Sequence, residues 1–305
     1  MPALKKARAI RPGARIGIAA PAGPVDPDRL EAGEQLVRRM GFEPVRRDDV
    51  TARLGYLAGD DMRRAAELSA FIDDPDVDAI LCARGGYGVS RILDRLDAGR
   101  FRAARKPLVG YSDITTLLLW QRRQAGLMGI HGPMLERAET PSPDVLSALS
   151  RALTGAGSPP RLQGRPFGGG WAEGRLTGGS LSLTVASLGT PWEIDTRDAI
   201  LMLEDTGEPP YRIDRMLQQL LSSGKLAGLV GVGIGSMDRC EDDRYPDRDL
   251  ETVLRDFLEP LGVPIVVDLP FGHVATNIAW PHGGRAAIDG ERGEVELLES
   301  AVAVR

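Results

Sequence analysis

Through the first half of the chain, short apolar runs alternate with segments of helical length, and few architectures accept that alternation. Residues 15–20 (RIGIAA) read as a buried strand closed by Pro21, Gly23 and Pro24. A helix follows over 28–40, with Asp26 placed to cap it and Pro27 suited to its first position. Residues 43–45, 79–83 (AILCA), 107–109 and 127–130 read as further strands, and 60–72, 89–96 and 113–120 (DITTLLLW) as helices. Strands alternating with helices form a parallel, doubly wound sheet. Its ligand chemistry gathers in loops at the strand carboxyl ends, and three loops qualify: 21–24, 84–88, and the turn of Tyr111 and Ser112.

At 305 residues the chain divides more naturally into two α/β domains than one. From residue 139 to about 174 the composition shifts toward Pro, Gly, Ser and Arg, with SPP at 158–160 and GGG at 168–170. We therefore expect an N-terminal α/β domain over 1–150, a linker over 151–174, and a C-terminal α/β domain over 175–305. The second half offers an αβ unit at 178–188, strands at 199–203 (AILML), 226–235 and 263–267, and helices near 211–221 and 250–258. Its tail, 285–299, alternates and turns at Asp289 and Gly290 as a β hairpin does.

A net charge of −5 with interspersed signs supplies neither a basic face for nucleic acid nor a polybasic membrane patch. Cys82 and Cys240 have no metal-binding or redox spacing, which suits a reducing compartment. Lys5, Lys6 and Arg8 precede an apolar run too short for a signal peptide, and no run reaches membrane-spanning length. The expected location is the cytoplasm. With three histidines and no HExxH or other zinc spacing, no metal is expected.

The stretch 106–115 (KPLVGYSDIT) carries the first chemical signal. Gly110 permits a tight turn, and Ser112 falls between a strand and a helix, where its hydroxyl stands out from the sheet and the N–H of Asp113 faces any oxygen bound beside it. Ile114 replaces the second glycine of G-x-S-x-G, so a serine that merely caps the helix is the other reading. The second signal is 83–88 (ARGGYG), neither G-x-G-x-x-G nor a P-loop. Its glycines bring N–H groups close to an anion or oxyanion, or simply make a long turn. Base candidates are His131, His273 and His282, the second on a loop after the strand 263–267. Glu204 and Asp205 end the apolar run AILML, where a carboxylate either orients an imidazole or pairs with Arg212 or Arg215.

Together these stretches resemble one family, the LD-carboxypeptidases or muramoyltetrapeptide carboxypeptidases, serine peptidases that include the microcin C immunity peptidases. The likeness runs through 19–23 (AAPAG), 83–88 (ARGGYG), 109–115 (VGYSDIT), 130–134 (IHGPM), 178–191 (GGSLSLTVASLGTP), 203–217 (LEDTGEPPYRIDRML) and 271–274 (FGHV). It implies Ser112 as nucleophile, His273 as general base and acid, and Glu204 as the group that orients His273. The oxyanion donors would be the N–H of Asp113 and one from the turn of Gly85 and Gly86. Arg84, beside that turn, is the first candidate for the substrate carboxylate. Where the family usually reads GGNL this chain has Ser180, which keeps a hydrogen-bonding side chain with shorter reach. The implied activity releases a C-terminal D-amino acid, D-alanine from a murein tetrapeptide, without a cofactor, in a cytoplasmic homodimer that serves cell-wall recycling. One alternative is an immunity-type peptidase acting on aminoacyl-nucleotides, for which Trp171, Trp192 or Trp280 would supply a stacking surface. Another is a non-catalytic module that binds an anion through 84–88.

Overall fold

In the computed structural model, which describes residues 4–135 and 141–304, the apolar runs of the first half form the expected sheet. Its six strands lie in the order Trp280–His282, Gly129–His131, Leu108–Gly110, Ala79–Cys82, Arg15–Ala19, Glu43–Val45. The five from the first half pair in parallel. Both faces are covered: Ile16, Ile18 and Leu81 enter one core cluster, whereas Ile80 and Cys82 enter the cluster on the other side. Burial on both faces is why these strands read as continuous apolar runs. Asp26 caps the helix Pro27–Arg39, accepting from the N–H groups of Asp28 and Arg29.

The sixth strand, Trp280–His282, was not expected. It comes from the second half and pairs antiparallel with Gly129–His131, Trp280 opposite His131. The chain ends are joined likewise, Ala7–Arg8 pairing in parallel with Val302–Ala303.

The second half forms an eight-stranded sheet, ordered Arg161–Gln163, Glu294–Leu297, Arg285–Asp289, Trp171–Ser180, Ala199–Thr206, Gly231–Asp238, Ile265–Val267, Arg165–Gly168. Its four inner strands from Trp171–Ser180 to Ile265–Val267 are parallel. The tail hairpin forms as expected, Asp289 pairing with Glu294 beside the turn.

Two expectations are corrected. The stretch 151–174 is largely regular structure: it holds the end of the helix Pro143–Thr154, the strands Arg161–Gln163 and Arg165–Gly168, and the start of Trp171–Ser180. The two short strands are the sheet's two edges, where proline and glycine cost least because one side of the strand needs no partner. Residue 139, where the compositional shift begins, lies outside the described residues. The helix expected over 89–96 is instead two 3-10 turns, Val89–Arg91 and Leu93–Arg95. The Asp113 carboxylate takes the N–H of Val89, and Asp97 opens a new helix at Ala98–Ala104 by accepting from Gly99 and Arg100.

Candidate active site

Ser112, the loop 84–88, Glu204 and His273 all lie at or after the carboxyl ends of parallel strands. Leu108–Gly110 leads into Ser112, whose backbone is left-handed at φ 59°. A non-glycine residue holds that conformation only when its surroundings impose it, and it is how a strand-to-helix turn projects a hydroxyl. The helix Ile114–Trp120 has no side-chain cap, so Ser112 is not there to cap it.

The loop 84–88 lies directly against this turn. A Cβ on Gly85 would stand 2.8 Å from Ser112 Cβ, 3.0 Å from its Oγ and 3.4 Å from the Asp113 nitrogen, so only glycine fits. Gly23 N donates to Gly85 O at 2.9 Å, tying the first loop to the second. Beneath both is a residue the sequence reading missed, Arg64. Fully buried, it donates through Nη1 to Pro21 O and Gly88 O, each at 2.7 Å, and pairs with Asp61. The available signal was an arginine on the apolar stripe of its helix, in line with Leu68, Phe71 and Ile72. The side chain of Asp113, 1 % exposed, completes the brace by accepting from Val89 N at 2.9 Å. Burial raises its pKa to about 6, against the opposing effect of the Val89 N–H.

From the other sheet, Glu204 stands opposite Ser180 on the strand Ala199–Thr206. It is fully buried, and its Oε2 lies 2.7 Å from Nδ1 of His273. Gly272, at φ 101°, makes room: a Cβ there would fall 2.7 Å from Glu204 Oε2. The buried Asn277 accepts from Gly272 N at 3.1 Å and fixes the loop that carries the imidazole. Tyr111, adjacent to Ser112, packs its ring 4.9 Å from that of His273, so the serine turn and the imidazole belong to one site. Burial pushes the Glu204 carboxyl up, and the hydrogen bond from His273 opposes it. Burial works against charge on His273, but the bond to and charge of Glu204, then Asp205 and Asp238, outweigh it and raise the imidazole pKa. Asp205 serves differently, accepting from Ser182 N at 2.7 Å and Thr206 N at 2.9 Å.

A serine on a forced turn, a glycine loop packed against it, and an imidazole held by a buried carboxylate are parts that a serine hydrolase uses. Two models of the LD-carboxypeptidase family match the chain, its N-terminal domain over residues 16–132 and its C-terminal domain over 173–288. The chain is also 36 % identical to the murein tetrapeptide carboxypeptidase of Pseudomonas aeruginosa, over 91 % of this chain and 94 % of that protein. It belongs to the LD-carboxypeptidase family. Among solved structures, the muramoyltetrapeptide carboxypeptidase of Oxalobacter formigenes superposes with a TM-score of 0.84 at 30 % identity, covering 93 % of this chain and 98 % of that one. The microcin C7 self-immunity protein MccF superposes at 0.90 with 22 % identity, covering 98 % and 100 %, a likeness of fold.

Other expected residues of this LD-carboxypeptidase chain fall outside the centre of the site. His131 is fully buried and stacked on Trp280, rings 4.6 Å apart, with its pKa lowered to about 3 by burial and then by His273. It is a neutral core residue, as is the fully buried His282. Trp280 is therefore no stacking surface, and Trp192 packs against the first domain's core. Trp171 is exposed, but it begins the strand that ends at Ser180, roughly 30 Å away at about 3.3 Å per residue. Ser180 is 2 % exposed; its N donates to Thr115 Oγ1 at 3.1 Å, and its hydroxyl caps the helix Leu181–Ala186 and meets Ser182 and Asp205. Arg84 is exposed beside Gly85 and donates to Pro24 O at 2.7 Å.

Proposed function

We propose that this chain is a serine carboxypeptidase that hydrolyses an L,D-amide bond and releases D-alanine from a murein tetrapeptide. Ser112 attacks the scissile carbonyl while His273 takes its proton, Glu204 stabilises the resulting imidazolium, and the N–H groups of Asp113 and the Gly85 turn receive the oxyanion. His273 returns the proton to the leaving amine, and water repeats the sequence on the acyl-enzyme. The observation that carries this reading is the 2.7 Å Glu204–His273 contact in the site that holds the left-handed Ser112. Murein rather than an aminoacyl-nucleotide is favoured because the relative named for murein tetrapeptide is 36 % identical, whereas MccF is 24 % identical. Arg84 is the residue we assign to the substrate's terminal carboxylate; Ser180, with its hydroxyl occupied, acts by positioning Thr115 and the helix after it.

Mass spectrometry of a murein tetrapeptide incubated with the protein should show loss of one alanine. The variant Ser112→Ala should fold and show no loss. Alanine release at the wild-type rate by that variant would sink the assignment of the nucleophile. We further propose a cytoplasmic homodimer acting in cell-wall recycling, readings that rest on the family likeness and are checked by light scattering of the purified chain and by fractionation of cells.

A further inference from the structure

Far from Ser112, residues of the two halves border an open cavity of about 650 Å³. Arg122 reaches it from the π turn Gln121–Ala125 that ends the helix after Ser112, and Arg175 from the strand Trp171–Ser180. Arg175 lies level with Ala199, five residues and so roughly 16 Å along the strand from Glu204. The charges here are poorly matched. Arg122 is only 5 % exposed; its Nη1 donates to Thr177 Oγ1 at 2.6 Å, while its carboxylate partner Asp195 stands 4.0 Å from Nη2. That same carboxylate is 3.5 Å from Arg175 Nη2 and 3.5 Å from Arg197 Nε. Three guanidinium groups share one carboxylate, and none holds it at the 2.7–2.9 Å of a charge-assisted hydrogen bond. Arg175 Nε is buried without a hydrogen-bond partner, although Nη2 also donates to Arg197 O at 3.2 Å.

The remaining charges of the wall do not correct this. Arg285 is paired with Glu173, and Glu299 with Lys6 at 3.0 Å, which leaves Asp198 as the other carboxylate beside the three arginines. Burial, and after it the charge of Arg175, work against the charged form of Arg122. A buried cation without a close counter-charge is costly, and an anion seated between the guanidinium groups would remove that cost. We propose that this inter-domain cavity binds a small oxyanion of the phosphate class, inorganic phosphate or a phosphate monoester, between Arg122 and Arg175 with Arg197 at the rim.

The test is calorimetric titration of the full chain with inorganic phosphate and, separately, with glycerol phosphate, at constant ionic strength, alongside thermal melts in phosphate and in chloride. Saturable binding and a Tm higher in phosphate than in chloride are expected. Tighter binding of the monoester identifies a phosphorylated metabolite as the ligand, and tighter binding of inorganic phosphate the free ion. Arg175→Gln should weaken binding about tenfold or more through loss of a charge-assisted bond. Arg197→Ala, a change at a side chain 79 % exposed, should weaken it severalfold and decides the matter should Arg175→Gln fail to fold. Ser112→Ala should bind as the wild type does, so the outcome is independent of the peptidase reading. Absence of saturable binding, or unchanged affinity in the folded arginine variants, would overturn the proposal.

Discussion

Glu204 has no exposure to solvent, so its single negative charge acts on His273 with little screening. Glu204→Gln keeps the shape and removes the charge that stabilises the imidazolium, and turnover should fall on the order of a thousandfold. His273, the general base we propose, works only when deprotonated. Since Glu204, Asp205 and Asp238 all raise the His273 pKa, the acid limb of the kcat/KM profile lies above the ordinary histidine value near 6.5. Removing either Glu204 or Asp238 as a charge should move that limb to lower pH, which pH profiles of Glu204→Gln and Asp238→Asn check. Asp205→Asn should cost much less turnover, because Asp205 serves Ser182 and Thr206; the reverse ranking would make Asp205 the orienter. Spacing alone left these two carboxylates open, since the ladder shifts register between Leu203 and Asp205 and such a bulge re-aims side chains. A second residue-scale prediction concerns Asp113. A carboxyl whose pKa rises on folding, here from 3.8 to about 6, costs stability as pH climbs through that interval, on the order of 3 kcal/mol. Wild type should therefore lose stability relative to Asp113→Asn between about pH 4 and 6 in urea melts, and a constant difference would refute the burial argument.

The elements around Ser112 are held by a strut. Arg64 donates to carbonyls of two loops at once, and the second loop presents Gly85 to Ser112. Oxyanion donors stabilise a charge present only in the transition state. Loosening them should lower kcat with little change in KM: Arg64→Met by roughly a hundredfold, Arg64→Lys by less. A variant with raised KM and normal kcat would show that Arg64 shapes ground-state binding instead. The strands of the first half were legible because a sheet buried on both faces requires unbroken apolar runs. The brace was not, because an arginine's use of distant carbonyls is a tertiary fact. For the same reason 89–96 read as a helix: nothing local announces that the Asp113 carboxylate captures the Val89 N–H. The strand Trp280–His282 is only three residues with a central proline, below what alternation can reveal.

At the scale of the molecule, the site and the fold are both shared between the halves. Ser112, Asp113 and Gly85 come from the first, Glu204 and His273 from the second, and the likeness to one family made that assignment before any geometry was known. Read from sequence, the first half carries its own parallel sheet. The structure adds a debt to the second half: Trp280–His282 covers the edge of Gly129–His131, Trp280 stacks on His131 at 4.6 Å, and Val302–Ala303 pairs with Ala7–Arg8. Residues 1–150 alone would expose that edge and open the core around a buried, neutral histidine, and an uncovered strand edge invites association. The fragment should therefore lack a cooperative thermal transition and release no alanine from a tetrapeptide. Co-expression with residues 151–305 should restore both, because the missing strands and the Glu204–His273 pair arrive together. Circular dichroism melts and mass spectrometry of the reaction decide the matter. A fragment that melts cooperatively and cleaves the tetrapeptide would place the base in the first half, where His131 is the one histidine, and would remove His273 from the mechanism.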